Sequence, residues 1–241
     1  MIDSGGCVYD EKLAAFYDSW FGDQSTTLDT VERLAELAGD GPVLELGIGT
    51  GRVALPLARR GIAVHGIDAS PAMVEQLRTK AGGKSIPVAI GDFSEVEIGG
   101  EFSLIYAATG TFFELPTQHA QLRCFANVAR HLRPGGVFVF DALLPDMHAQ
   151  RGVEILQGHG ADVVRLRQWD SGAQRLVSLY LVCTDEGVRC MRVSFRYAWP
   201  GELDLMAQLA GLRLRERYRN WRGEPFTASS RTHVSVYERP A

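Results

Sequence analysis

Residues 43–68 constrain this chain more than any other stretch. They read Val-Leu-Glu-Leu-Gly-Ile-Gly-Thr-Gly-Arg, then an apolar helical run, then Ile-Ala-Val-His-Gly-Ile-Asp. Val43, Leu44 and Leu46 fit a short buried strand. Gly47, Gly49 and Gly51 then form a turn with almost no side chain, which lets a ligand come close to the backbone. A helix starting near Gly51 aims its unbonded N–H groups at that ligand. A second strand over 62–67 ends in Asp68, a carboxylate placed to accept hydrogen bonds from a ribose diol. Together these residues make a βαβ unit with a nucleotide-type site at its strand ends.

Two ligand classes use such a turn. Dinucleotide enzymes favour Gly-x-Gly-x-x-Gly/Ala, whose last small residue permits tight helix–strand packing. Here Arg52 stands where that small residue would fall. The Glu45-x-Gly47-x-Gly49-x-Gly51 spacing instead resembles motif I of the class I S-adenosylmethionine-dependent methyltransferases. Three further segments resemble the same family: Asp92-Phe93 at the end of a strand, Leu-x-Pro-Gly-Gly over 132–136, and Tyr17-Asp18-x-Trp20 in a leading helix. Motifs support the resemblance over residues 9–141, and layout alone supports it over 200–239.

The rest of the chain reads consistently with that frame. Residues 9–21 place Leu13, Phe16, Tyr17, Trp20 and Phe21 on one helical face. A second helix is expected from Thr26, with Asp29 completing an approximate capping box, to Gly39. The helix over 53–60 contains Pro56, so it either begins late or bends. Ser70-Pro71 is a helix start, an N-cap serine followed by proline. Strands over 86–90, 102–107 and 137–140 alternate with helices, which implies parallel pairing with right-handed crossovers. From about 151 helices are no longer interposed. Runs over 163–169, 175–183 and 188–199 predict an antiparallel meander, followed by a helix over 202–210 and strands over 212–218 and 232–238. The expected fold is α/β: a Rossmann-like, seven-stranded, mostly parallel sheet with helices on both faces, plus an inserted antiparallel strand meander. Four segments follow, namely an N-terminal helical cap (1–40), a cofactor-binding core (41–150), inserted strands as substrate cap or dimer contact (151–200), and a closing helix and hairpin (201–241).

Composition excludes several classes. With 46% hydrophobic and 22% charged residues the chain is an ordinary globular one. No apolar run approaches the ~20 residues that span a bilayer, and the start lacks a secretory pattern. The formal net charge of −4 argues against a non-specific nucleic-acid binder. Four cysteines show no metal-ligand spacing; they read as reduced thiols of a cytoplasmic protein, with Cys124 and Cys183 packed inside. Arg213, Arg215, Arg217 and Arg219 recur at period two, one solvated strand face. No membrane, nucleic acid or metal is expected, and the protein is read as a monomer or homodimer.

The resemblance implies S-adenosyl-L-methionine as cofactor and a small-molecule methyl acceptor, an amine or hydroxyl of the kind found on secondary metabolites and sugars. In the cofactor shell it implies, the backbone of Gly47, Gly49 and Gly51 lies near the methionine portion, with Glu45 orienting the same region. Asp68 and Ala69 lie at the ribose, and Met73, Asp92 and Phe93 at adenine. Ala107 offers its carbonyl to the ammonium group, with Phe112 in the loop beyond. Tyr17 and Trp20 fit either a role over the cofactor or the core face of their helix. No general base stands out; His148, Glu114 and Tyr17 are the candidates. The aromatics Trp169, Tyr180, Tyr197 and Trp199 on the inserted strands are candidates for a lid, with packing the expected role for at least half. Two other functions stay open: an NAD-dependent oxidoreductase, disfavoured by Arg52 and by the lack of a Tyr-x-x-x-Lys pair, and a non-catalytic methyltransferase-like binding protein.

Overall fold

Helices α1 (Glu11–Phe21) and α2 (Thr27–Ala38) lead into β1 (Val43–Leu46). The computed structural model describes residues 9, 11–21, 26–145, 151–158, 161–184 and 187–241, without the side chains of 12, 20, 21, 151–158, 161, 162 and 184. After β1 come α3 (Ala54–Arg59), β2 (Val64–Asp68), α4 (Pro71–Thr79), β3 (Val88–Ile90), β4 (Phe102–Ala107), α5 (Gln118–His131) and β5 (Leu132–Leu143). Four strands follow without an intervening helix: β6 (Arg151–Gly158), β7 (Ala161–Asp170), β8 (Arg175–Thr184) and β9 (Gly187–Arg196). The chain closes with α6 (Pro200–Leu209), β10 (Arg213–Tyr218) and β11 (Thr232–Glu238).

One sheet has the order β10-β11-β5-β4-β1-β2-β3, with β11 antiparallel to both neighbours and the other strands aligned. The chain steps outward from β1 to β3, then returns to place β4 on the opposite side of β1. That reversal is the switch point of an open α/β sheet, and ligands bind outside the strand ends there. Because β1 and β4 are covered on both faces, every residue of each is buried. Alternate residues feed two cores. Leu44, Leu46, Ile105, Phe138 and Phe140 face α5 and α6, while Val43, Leu104, Tyr106 and Val139 face α2 and α3.

The second sheet, β6-β7-β8-β9, is antiparallel throughout. It has four strands where the sequence predicts three; the additional one is β6. Leu176 and Tyr197 join it to the α5/α6 core. A buried polar knot reinforces the join. Arg196, at the end of β9, donates to Gln121 of α5 at 2.5 Å and to Glu202 of α6 at 2.6 Å. Gln121 donates in return to the Arg196 carbonyl at 2.7 Å.

Several local expectations resolve differently. Thr26 makes no side-chain cap bond: its backbone is already helical (φ −88°, ψ −6°), which aims the hydroxyl away from the helix N–H groups, so the capping box does not form. α3 begins late, at Ala54, so Pro56 falls in the first turn, where its missing donor goes unneeded. The Ser70 cap forms as expected, its hydroxyl accepting from the Met73 N–H at 3.2 Å. β5 includes the Pro-Gly-Gly segment, whose Gly135 and Gly136 pair with the Arg239 backbone. Cys183 is exposed, since the pleat turns its side chain away from the main core; Cys124 is buried. The arginine row is broken by a register shift between Leu214 and Glu216. Arg217 thereby turns inward to Asp204, at 2.6 Å, and to the Tyr237 hydroxyl, at 3.0 Å, instead of lying on a solvated face.

Candidate active site

The glycine turn sits at the switch point. Gly47, Gly49 and Gly51 all have positive φ (71°, 53° and 82°), which L side chains rarely adopt. A Cβ on Gly47 would lie 2.5 Å from the Thr111 methyl, so the turn and the loop after β4 approach as closely as only glycine allows. Asp68, at the end of β2, braces the turn: its two carboxylate oxygens accept from Gly49 N at 2.6 Å and from Ser70 N at 2.8 Å. Burial pushes the Asp68 carboxyl up, and those two N–H groups offset part of the rise. A carboxylate has about four acceptor positions, so Asp68 keeps capacity for a diol. Glu45 lies beneath the turn. It accepts from the Tyr106 hydroxyl at 2.9 Å, and burial drives it up to about 8 against the pull of that bond and of Arg52.

Around this turn lies a narrow cleft lined by Tyr17, Glu45, Gly47, Gly49, Thr50, Arg52 and Thr109, among others. Arg52 donates to the hydroxyls of Thr27 and Thr109. Thr109 has φ 65°, unusual for a β-branched residue, and is held by Asp141 at the end of β5, which accepts its N–H at 2.6 Å. Burial lifts Asp141 to about 6. Helix α1 is fastened over the cleft. Asp18 accepts from Thr50 Oγ1 at 2.6 Å and pairs with Lys80 at 2.5 Å, and Ser70 Oγ donates to the Tyr9 carbonyl.

A larger cleft of about 400 Å³ opens beside the first, and Tyr17, Thr109 and Thr111 line both. One wall is the loop after β4, with Phe113 and Glu114; the other is the inner face of the four-stranded sheet, with Arg165, Arg167, Ser178, Tyr180, Met191 and Val193. Leu13 of α1 clusters with Met191 and Val193 of that wall. Glu114 accepts from the Tyr9 hydroxyl at 3.0 Å. Burial lifts its carboxyl to about 7, the Tyr9 bond pulls it back, and the charge of Asp68 adds to the rise. Tyr9 and Tyr17 meet edge to face at 5.9 Å, and burial pushes both phenols well up.

The structure places the expected site residues unevenly. Gly47, Gly49, Glu45 and Tyr17 line the narrow cleft, and Glu114 and Tyr17 the wide one. Gly51 underlies the turn against Leu55 and Leu77. Asp68 and Met73 are buried beside the turn; a Cβ on Gly49 would lie 3.4 Å from the Met73 terminal methyl. Ala69 is exposed just past β2, and Ala107 is fully buried at the end of β4. Asp92 is exposed after β3 and accepts from Ser94 N at 2.8 Å, while Phe93 is half-buried against the core. Phe112 is a correction. Its ring is fully buried and stacks on Phe140 at 4.5 Å, with Phe125 and Phe138 around it, so the side chain belongs to the core and not to a ligand. His148 and the Trp20 side chain lie outside the described residues. Of the four lid candidates, Tyr180 lines the wide cleft; Trp169, Tyr197 and Trp199 pack edge to face on one another. His233 is buried beside Ser235, and burial lowers it to about 3, so it stays neutral in the core.

Sequence reasoning did not single out Tyr9, Arg52, Asp141 or the pair Arg165 and Arg167 as site residues. Arg52 carried a signal, since it directly follows the last glycine of the turn. The others depend on which loop and which sheet face meet in space.

S-adenosylmethionine fits what is present. The glycine turn presents bare backbone to the narrow cleft, the Asp68 carboxylate keeps acceptor capacity of the kind a ribose diol needs, and Arg52 is a cation of the kind that suits the carboxylate of a methionine portion. The comparisons agree. A family model described as a methyltransferase domain matches residues 43–136. The chain is 29% identical over 240 residues to the cypemycin N-terminal methyltransferase of a Streptomyces species, covering 96% of this chain and 98% of that one. It is 27% identical to the dTDP-4-amino-2,3,4,6-tetradeoxy-D-glucose N,N-dimethyltransferase of Saccharopolyspora spinosa, over 76% of this chain and 74% of that one. Among solved structures, the CcbJ methyltransferase of Streptomyces caelestis superposes with a TM-score of 0.89 at 36% identity, covering 97% of this chain and 98% of that one. The chain therefore belongs to the class I S-adenosylmethionine-dependent methyltransferases.

Proposed function

We propose that this enzyme methylates the nitrogen of a small-molecule amine bound in the wide cleft, with Glu114 receiving the proton that the nitrogen loses. The observation that carries this reading is the position of Glu114, a carboxylate lifted to about 7 in a cleft that shares Tyr17, Thr109 and Thr111 with the glycine-turn cleft. A base works best when its pKa lies near the working pH. Two relatives, one named an N-terminal methyltransferase and one an N,N-dimethyltransferase of an amino sugar, support nitrogen over oxygen as the acceptor atom.

S-adenosylmethionine, when bound, supplies an electrophilic methyl carbon on a sulfonium, so a neutral amine can take it in one in-line displacement. The protein's part is alignment and proton removal. The glycine turn, Asp68 and Arg52 hold the donor end, and Tyr17 separates it from the acceptor. The leaving group would be the neutral thioether, which would retain the electron pair of the broken carbon–sulfur bond. The nitrogen becomes cationic and passes its proton to the Glu114 carboxylate. In this reading residues 151–200 are the acceptor-binding cap and residues 1–40 the cover of both clefts. Asp92, Phe93 and Met73 attend the adenine, and Ala107 offers its carbonyl to the ammonium group. The net charge of −4 supports a reading without a nucleic-acid substrate; the same reading takes the enzyme as cytoplasmic, a monomer or homodimer.

The test is calorimetric titration with S-adenosylhomocysteine, and with NADH in parallel, followed by transfer of labelled methyl to panels of amines and of alcohols. Binding of S-adenosylhomocysteine with label on amines is the expected result. Label on alcohols alone would overturn the nitrogen assignment.

A further inference from the structure

Thr109 holds an uncommon backbone conformation where the two clefts meet: its φ is 65°, and it lines both. A β-branched residue in the left-handed region is strained, whereas glycine, which follows at once as Gly110 with φ 76°, adopts it freely. Strain of this kind persists only where surrounding contacts enforce it, and it gathers at functional sites. The turn itself does not need a threonine, so keeping one there implies a use for its hydroxyl.

The contacts run in a chain. Asp141, at the end of β5, grips the turn from one side: its carboxylate accepts from Thr109 N at 2.6 Å and from the Gly110 N–H. On the other side the Thr109 hydroxyl accepts from Nη2 of Arg52, whose Nη1 donates to Thr27 Oγ1 at 2.6 Å, at the start of α2. Both terminal nitrogens of the guanidinium are thus tied, one to the loop after β4 and one to α2. A guanidinium is a rigid plane with five N–H donors, so two bonds fix its orientation and leave donors for a ligand. An arginine held in this way has given up its rotamer freedom on folding and does not lose it again on binding. Charge follows the same path. Burial lifts Asp141 to about 6, the Thr109 N–H and the Arg52 charge hold it back, and it is mostly ionised at pH 7. Glu45, which also senses Arg52, is lifted to about 8 and is mostly neutral there.

We propose that Asp141 is a positioning residue: by holding Thr109 in the left-handed conformation, it sets the Arg52 guanidinium to receive the carboxylate of the methyl donor's amino-acid portion. Asp141 lines neither cleft and so acts through Thr109 and Arg52. The assignment rests on the reading of Arg52 given above.

Two ligands that share adenine, ribose and a thioether separate the possibilities. S-adenosylhomocysteine carries the amino-acid carboxylate; 5′-methylthioadenosine lacks it. In calorimetric titration of the full chain the former should bind at least tenfold tighter, and R52Q should abolish that preference. D141A should weaken S-adenosylhomocysteine by about tenfold, the worth of a hydrogen bond to a charged group, and leave 5′-methylthioadenosine unchanged. T109V repeats the test without touching the carboxylate and should do the same, whereas T109S, which keeps the hydroxyl, should bind both ligands as the native chain does. Residues acting along one chain of contacts are not additive, so D141A/R52Q should discriminate no less than R52Q alone. Equal weakening of both ligands in T109V would make the loop a fold element and overturn the proposal, as would native affinity for S-adenosylhomocysteine in D141A. Selective loss in R52Q without it in D141A and T109V overturns the proposal and spares the Arg52 reading. Equal binding of the two ligands by the native chain overturns both.

Discussion

In the seven-stranded sheet β4 buries all six of its residues, whereas β9 of the four-stranded sheet alternates exposed and buried positions over 190–194. The contrast extends to chemistry. The proposed donor end is built largely from backbone: three glycines at positive φ and a carboxylate that accepts from the Gly49 and Ser70 N–H groups. The proposed acceptor end is built from side chains on an inserted sheet, joined to the main core by a few apolar residues and by the Arg196 knot. A methyl donor common to many enzymes can be held by a common backbone device. An acceptor peculiar to one enzyme needs particular side chains, and a sheet lying outside the main core tolerates their replacement.

If the two regions are separable, damage to each should leave the other's readout intact. The largest effect is expected from E114Q. Removing a general base lowers turnover by roughly 10²–10⁴-fold, while S-adenosylhomocysteine affinity, read by calorimetry, stays unchanged. In the native enzyme kcat/KM should fall as pH drops below about 7, the value to which burial lifts Glu114. That limb should vanish in E114Q. Stability carries the opposite sign. A carboxyl whose folded pKa is raised from 4.5 to about 7 takes up protons on folding, so its contribution declines as pH rises through that window. E114Q should therefore melt higher than the native chain above pH 7, and an equal or lower melting temperature there would argue against the buried carboxyl.

Next in size is R196M, which cuts the join between the sheets. Arg196 is buried but Glu202 only half-buried and still bonded by Gln118 and Gln174, so removing the guanidinium should cost about 1–3 kcal/mol. Bonds to Gln174, Arg196 and Gln118 hold the Glu202 carboxyl below its usual range despite some desolvation. The stability it lends is thus present above pH 4.5 and lost as pH falls through the lowered value. Denaturant titration should register the loss, and amine transfer should fall while S-adenosylhomocysteine affinity holds. Equal loss of both functions would mean that the sheets act as one unit.

D68A strikes the other region. It removes a charged acceptor from Gly49 N and Ser70 N and from the ribose, each such bond being worth ~1.5–3 kcal/mol. S-adenosylhomocysteine should bind at least tenfold more weakly. An unchanged dissociation constant would remove Asp68 from the donor site.

The same division decides what could be read from the sequence. The glycine spacing, Asp68 and the alternation of strands and helices are local patterns, and they predict the parallel sheet and the glycine turn at its strand ends. Arg217 looked solvated because period two presumes an unbroken strand, and the shift near Glu216 reverses its face. Phe112 looked available because a loop residue's side-chain direction is set by tertiary packing, here by Phe140. Strand β6 escaped because its short run gives little apolar alternation. The arginine pair escaped because nothing in the sequence says which sheet face closes over the cleft. Residues whose role is set by neighbours in sequence were legible; those whose role is set by neighbours in space were not.

The smallest expected effect tests how the two regions touch. Ser70 caps α4 through Met73 N, and its hydroxyl also donates to the carbonyl of Tyr9, the residue whose phenol bonds Glu114. One side chain thus ties the donor strand to the acceptor wall. S70A should cost about 1 kcal/mol, the usual worth of an N-cap. T26A should cost nearly nothing, since Thr26 makes no side-chain cap bond. Thermal melts of the two variants settle the capping difference. If S70A also shifts the acid limb of the transfer profile, the Tyr9–Glu114 contact is set from the donor side, and the regions are coupled at that point. An unmoved limb leaves Ser70 as a helix cap and keeps the two regions independent.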